Sequence, residues 1–226
     1  SPAAVDAFFA ELGEKVKVAA GAKVRNTALV NSSKLSAQLM GNAYLTPDKY
    51  DVIAIGASTG GTEAILEVVK NLPKTMPGIV IVQHMPATFT TMYAQRLDKI
   101  CKMSAKEAAD NDRVRQGQIL LAAGDYHMTL KRDENGYFVR CMHGEKVNGH
   151  CPSVDVLFNS VAQAAGKKAV GVLLTGMGAD GARGLTRMHS TCCYTIGQDR
   201  DTCVVYGMPM EAYKMQGVQD KTGIPS

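Results

Sequence analysis

Ser58, His84 and Asp180 have the side chains of a nucleophile, a proton acceptor and a carboxylate able to orient that acceptor. Each stands where an apolar run gives way to a turn, and three such groups brought together perform acyl transfer through a covalent serine intermediate. Ser58 lies in Gly56-Ala57-Ser58-Thr59-Gly60, a G-x-S-x-G pattern whose small residues permit a tight strand-to-helix turn. The helix expected after it points free N–H groups at the same corner, a ready site for developing negative charge. His84 opens His84-Met85-Pro86, and Asp180 stands in the glycine-rich run Thr175 to Gly181.

Each residue also has a plainer reading. Ser58 and Asp180 are residue types that cap helices, and His84 fits a packed histidine satisfied by backbone. A glycine-rich turn after a first strand also fits a phosphate cradle. The chain order Ser, His, Asp differs from the Ser, Asp, His of the usual hydrolase fold, so a triad here would be a separate arrangement of the same geometry. His127, His143 and His150 read as structural or surface residues, with His127 placed to border a cleft.

These positions need strands that end at a common rim. Val52 to Ile55, Gly78 to Gln83 and Ala169 to Leu174 are continuous apolar runs, the pattern of strands buried on both faces. Helical patterns over Thr62 to Leu72, Phe89 to Ile100, Ser153 to about Ala165 and from Ala182 alternate with them, and Pro73 and Pro77 stop the first. The expected fold is α/β, a doubly wound, mainly parallel sheet with helices on both faces, and its functional groups belong at the carboxyl ends of the strands. Gln118 to Ala122 is a further short strand. Two alternating runs around Asn135-Gly136 predict an antiparallel hairpin at the edge of the sheet. Ser153 is expected to cap the helix it precedes.

With 226 residues and 46% hydrophobic content, the chain can bury one substantial core, read as a single domain of about 180 residues plus an appendage. Apolar positions at Val5, Phe8, Phe9, Leu12 and Val16 predict an amphipathic helix to about Ala20. The polar stretch over 21–49 reads as a linker, and the compact domain is expected from Tyr50. No apolar segment reaches membrane-spanning length and no secretory signal is visible, so a soluble cytoplasmic protein is expected. The six cysteines include no C-x-x-C pair and read as reduced thiols, and the five histidines are not spaced with them as zinc ligands. A net charge of +4, spread along the chain, lacks the clustered basic stripe that nucleic-acid binding requires.

The segments GASTGG at 56–61, QHMPA at 83–87, AAGDYHM at 122–128, PSVD at 152–155, LTGMGADGA at 174–182 and QD followed by VVYGMP at 204–209 occur in one order. In that order they resemble the catalytic domain of the chemotaxis protein-glutamate methylesterase (CheB) family, from about Asp51 to about Val218. The resemblance implies that the family's serine, histidine and aspartate fall on Ser58, His84 and Asp180, with backbone N–H groups of Thr59 and Met177 supporting the oxyanion. It implies hydrolysis of glutamate γ-methyl esters, and deamidation of particular glutamines, on the cytoplasmic helices of methyl-accepting chemotaxis receptors. No metal or organic cofactor is expected, and neither nucleic-acid binding nor membrane insertion.

The family also carries an N-terminal phosphorylation-receiver domain. Residues 1–20 resemble only its last helix, 21–49 the interdomain linker and 50–226 the catalytic domain, so a truncated chain is expected. The sequence departs from the family's pattern at Cys192-Cys193, where Gly-Gly is common, at Arg200, and at Met210, positions expected beside the cleft. Two other functions fit parts of the pattern: a non-catalytic regulatory module using the glycine-rich turns, and a broader esterase with a deep apolar pocket for small esters.

Overall fold

A computed structural model describes residues 49–223. The expected helix over 5–20 and all but the last residue of the linker over 21–49 lie outside the described residues. Within them the elements run β1 Val52–Ala57, α1 Gly61–Val69, β2 Gly78–Gln83, α2 Ala87–Ile100, β3 Ser104–Glu107 and β4 Gln118–Leu121. They continue with β5 His127–Asp133, β6 Gly136–Met142, α3 Val154–Ala164, β7 Ala169–Leu173, α4 Ala182–Ser190, β8 Tyr194–Gln198, α5 Met208–Lys214 and β9 Asp220–Thr222.

Seven strands form one sheet in the order β3-β4-β2-β1-β7-β8-β9, and every neighbouring pair is parallel. Strands β1, β2 and β7 occupy its centre and are buried along their whole length, as their unbroken apolar runs require. Their alternate residues feed two core layers. Ile53, Ile55, Ile79 and Ile81 face α1 and α2 through Ile65, Val68, Tyr93 and Leu97. On the other face Val52, Ala54, Val80 and Val82 join Leu157, Phe158 and Val161 of α3, Leu185 and Met188 of α4 and Ala212 of α5. Each fully buried side chain of this size stabilises the fold by about 1.5–3 kcal/mol.

The predicted hairpin is present as β5 and β6, paired antiparallel from His127↔Met142 to Asp133↔Gly136. Its loop residues are Glu134 and Asn135, with Gly136 at φ 105 already in the ladder. It makes a two-stranded sheet of its own, whereas the outermost strand of the main sheet on that side is β3. Alternation explains the placement: Met128, Leu130, Tyr137 and Val139 form one buried face, which enters the same core layer as α3. The sequence did not signal β3 or β9, because both are short polar edge strands with no apolar run. Among the described residues no helix is long and apolar enough to cross a membrane, and no group of three or more His, Cys, Asp or Glu could hold a metal ion.

Candidate active site

The parallel register brings the three candidates to one end of the sheet. Ala57 is level with Gln83 and Gly56 with Leu173, so Ser58 and His84 follow β1 and β2 at the same height. The His84 N–H donates to Ala57 O at 3.1 Å and the Ser58 N–H to Thr175 O at 3.0 Å. Ser58 thus stands on the strand between those that carry His84 and Asp180.

The Ser58 turn is held from three sides. Gln83 Nε2 donates to Ser58 O (2.9 Å) and to His84 O (3.0 Å), tying the two turns together. Thr175 Oγ1 donates to Thr59 O (2.9 Å) and accepts from the Val205 N–H (2.9 Å), while Gln198 Oε1 accepts from the Thr175 N–H (2.7 Å). Gly60, at φ 78, ends the turn and caps α1 without a side-chain bond, so Ser58 is not the cap of that helix. Gly176 packs so closely that a Cβ there would lie 2.8 Å from Ser58 Cβ and 2.2 Å from Met208 Sδ. Among the described residues the N–H groups of Thr59 and Met177 make no hydrogen bond within the chain.

His84 and Asp180 meet directly. The imidazole Nε2 lies 2.8 Å from Asp180 Oδ2, with the two side chains 7% and 1% exposed. His84 Nδ1 is buried and has no hydrogen-bond partner. His84 is therefore not satisfied by backbone, the plainer reading its sequence allowed.

Asp180 does not cap the helix that follows it either, since α4 starts from Gly181 with no side-chain cap. Its carboxylate sits instead at the start of α3. Oδ2 accepts from the Val154 N–H (2.7 Å), and Oδ1 accepts from the Asp155 N–H (3.2 Å), Ser153 Oγ (2.7 Å) and Asn148 Nδ2 (2.7 Å). The free N–H groups and dipole of a helix start favour a negative charge there. Burial by itself would raise the Asp180 carboxyl, but the hydrogen bonds from His84, Asn148, Ser153 and Val154 outweigh it and hold the group far below the usual carboxylate range.

Asp155, also buried, is displaced the other way: burial raises its carboxyl and the charge of Asp180 adds to the effect, against the bond from the Gly184 N–H. Ser153 is the N-cap of α3, as expected, and it additionally bonds Asp180.

Three supporting residues were not expected as part of the site: His150, read from the sequence as structural or surface, Asn148, and Gln83, noted only as part of the QHMPA segment. His150 stacks on His84 with ring centroids 3.7 Å apart and planes 11° apart. Asn148 Nδ2 bonds Asp155 Oδ2 (2.8 Å) as well as Asp180. Gln83 is the third. Their only signal was proximity to recognisable motifs, because contacts across tens of residues leave no local pattern. His127 braces this region as a structural residue, with Nδ1 accepting from the Ser153 N–H (3.2 Å) and Nε2 2.9 Å from Glu145 O. His143 packs on Tyr126, their ring centroids 3.9 Å apart.

The departures from the family pattern divide. Cys192-Cys193 precedes β8, at the amino ends of the strands, and Cys193 Sγ donates to Gly166 O at 3.0 Å. The pair lies at the opposite end of the sheet from Ser58 and not beside the cleft. Cys192 holds φ 64, a conformation a glycine adopts without strain. Arg200 and Met210 do follow carboxyl strand ends, in the turn after β8 and in α5. All six cysteines are free thiols.

The family model for CheB methylesterase matches residues 53–224, which is most of the chain. This chain belongs to that family. It is 54% identical over 215 residues to the protein-glutamate methylesterase/protein-glutamine glutaminase 2 of Syntrophomonas wolfei, covering 95% of this chain and 61% of that protein. It is 46% identical over 222 residues to the corresponding protein of Syntrophotalea carbinolica, covering 97% of this chain and 63% of that one. The chain thus spans about three-fifths of the length of these relatives. The crystal structure of the Thermotoga maritima CheB methylesterase catalytic domain superposes with a TM-score of 0.75 at 35% identity, over 77% of this chain and 93% of that one. The family's parallel sheet with its separate antiparallel pair is the fold described above.

Proposed function

We propose that Ser58, His84 and Asp180 form a serine-hydrolase triad, and that the chain hydrolyses glutamate γ-methyl esters and deamidates particular glutamines on the helices of methyl-accepting chemotaxis receptors. The observation that carries the chemistry is the His84 Nε2 to Asp180 Oδ2 bond of 2.8 Å beside a buried, unpartnered Nδ1. Asp180, ionised at any ordinary pH, fixes the proton on Nε2 and leaves the Nδ1 lone pair for the Ser58 proton. The ring is turned the opposite way from the more familiar triad, in which Nε2 serves the serine and Nδ1 the aspartate.

Ser58 Oγ attacks the ester carbonyl carbon as Nδ1 takes its proton. The resulting oxyanion is held by the unoccupied N–H groups of Thr59 and Met177, donors of a kind whose loss costs roughly a hundred- to a thousandfold in rate. Nδ1 returns the proton to the departing methoxide, releasing methanol and leaving an acyl-serine. Water, deprotonated at the same nitrogen, then cleaves that ester to give glutamate and restore Ser58. With a glutamine substrate ammonia departs in place of methanol. The cytoplasm, where those receptor helices lie, is the compartment this reading requires.

The test is methanol release from methylated chemoreceptor membranes by the chain and by its Ser58→Ala variant. Release that falls at least about a thousandfold in the variant is the expected result. Release that persists in Ser58→Ala, or a folded chain that releases none, overturns the reading in favour of another nucleophile or of a binding module.

A further inference from the structure

Val147 to His150 is a tight two-residue turn whose backbone N–H and C=O groups pair reciprocally, both bonds at 3.0 Å. Asn148 and Gly149 hold φ 53 and φ 82, the two left-handed positions of a type I′ turn, for which Asn-Gly is the favoured dipeptide. This exposed turn sends one side chain to each member of the buried pair: the Asn148 amide to the Asp180 carboxylate, and the His150 ring to the face of the His84 imidazole. We propose that the Val147–His150 turn is a clamp that positions the His84–Asp180 pair, with Asn148 and His150 as its two positioning residues; the proposal rests on the triad reading above.

Each contact constrains a different freedom. A carboxylate can rotate about its Cβ–Cγ bond, and the Asn148 amide at 2.7 Å from Oδ1 opposes that rotation from the side remote from His84 Nε2. The same amide nitrogen holds Asp155 Oδ2 at 2.8 Å, so one donor bridges two buried carboxylates that would otherwise repel. The imidazole, tethered to Asp180 at one nitrogen, can still tilt about that bond, and a ring stacked at 3.7 Å with an 11° interplanar angle blocks the tilt. When His84 is protonated in the reaction, the same face contact sets a cation over an aromatic ring.

The clamp's own anchor is His127. It binds the Glu145 carbonyl on one side and the Ser153 N–H on the other, so the segment leading into the turn is fixed to α3. Neither Asn148 nor Gly149 is buried, so substitution of Asn148 removes no side chain from the apolar core.

The experiment compares Asn148→Ala, His150→Ala and His150→Phe in the whole chain, by steady-state methanol release and by the downfield proton resonance of the His84 Nε2–H, assigned in ¹⁵N-histidine-labelled protein. The two alanine variants are expected to lower kcat by about tenfold to a hundredfold with KM within about twofold, the scale of a small misplacement of reacting groups. Both should also shift or broaden the resonance, while His150→Phe, which keeps a flat ring on His84, restores most of kcat and the signal. Wild-type kcat and an unmoved resonance in both alanine variants overturn the clamp, and so does a change confined to KM, which marks a substrate contact. The resonance reads the clamp without turnover. Persistent release by Ser58→Ala would therefore sink the triad reading while leaving the clamp to be decided by its own signal.

Discussion

Asp180 accepts from the Val154 N–H at 2.7 Å, and this contact seats the carboxylate of one βα turn on the first turn of a helix that precedes it in the chain by some two dozen residues. The consequence is a buried anion supplied with donors from α3, from the Val147–His150 turn and from His84. A buried carboxylate is costly unless it is so supplied.

Asp180→Asn therefore has an expected signature. The amide keeps the shape but loses the charge that favours the Nε2–H tautomer of His84 and stabilises its protonated form in the reaction, and methanol release should fall by roughly three to four orders of magnitude. Turned one way its NH₂ would face the Val154 N–H and His84 Nε2, and turned the other way the Asp155 N–H and the Asn148 amide. Measured by urea denaturation, the variant should lose about 1–3 kcal/mol of stability, and one as stable as the parent would contradict the donor shell described here.

Asp180 also contributes to acid sensitivity. Its folded-state affinity for protons is depressed below that of the unfolded chain, so its stabilisation is complete above about pH 4 and is lost as pH falls toward the depressed value. Asp155 acts in reverse: its raised carboxyl binds a proton more readily in the folded state, so ionising it as pH rises works against folding. Thermal melting as a function of pH should show a loss below about pH 4 that is reduced in Asp180→Asn. An identical acid loss in that variant would assign the effect to other groups.

Gly176→Ala places a methyl 2.8 Å from Ser58 Cβ and 2.2 Å from Met208 Sδ. Overpacking of this kind costs about 1–3 kcal/mol. Because the displaced atoms belong to Ser58 and to the start of α5, release should fall by more than the loss of folded protein explains. Full specific activity per folded molecule would show that the Ser58 turn has more latitude than its packing indicates.

Thiol reagents should discriminate the cysteines by place. Cys192 is exposed, whereas burial pushes Cys203 up to about 12 and Cys101 and Cys141 up to about 11. Cys192 should react first in the native protein, and because it precedes β8 at the far end of the sheet, modification there should leave methanol release intact. Loss of release in step with Cys192 labelling, read by peptide mass spectrometry, would place that pair nearer the site than the structure does.

The local sequence determined what local physics dictates. Short unbroken apolar runs bounded by turn residues have the pattern of strands buried on both faces, so β1, β2 and β7 and the parallel class followed from Val52 to Ile55, Gly78 to Gln83 and Ala169 to Leu174. The turns after those strands, with their small residues, marked Ser58, His84 and Asp180 as candidates at one rim. Alternation marked the hairpin but not what it pairs with, since an amphipathic ribbon can bury its face on a helix as well as extend an edge. Only the tertiary structure decided that Asp180 binds the start of α3 and not of α4, that His150 covers His84, that Asn148 joins two carboxylates, and that Cys192-Cys193 lies away from the cleft. Each of these depends on the positions of segments distant in the chain, which strand order and register set and no local periodicity records.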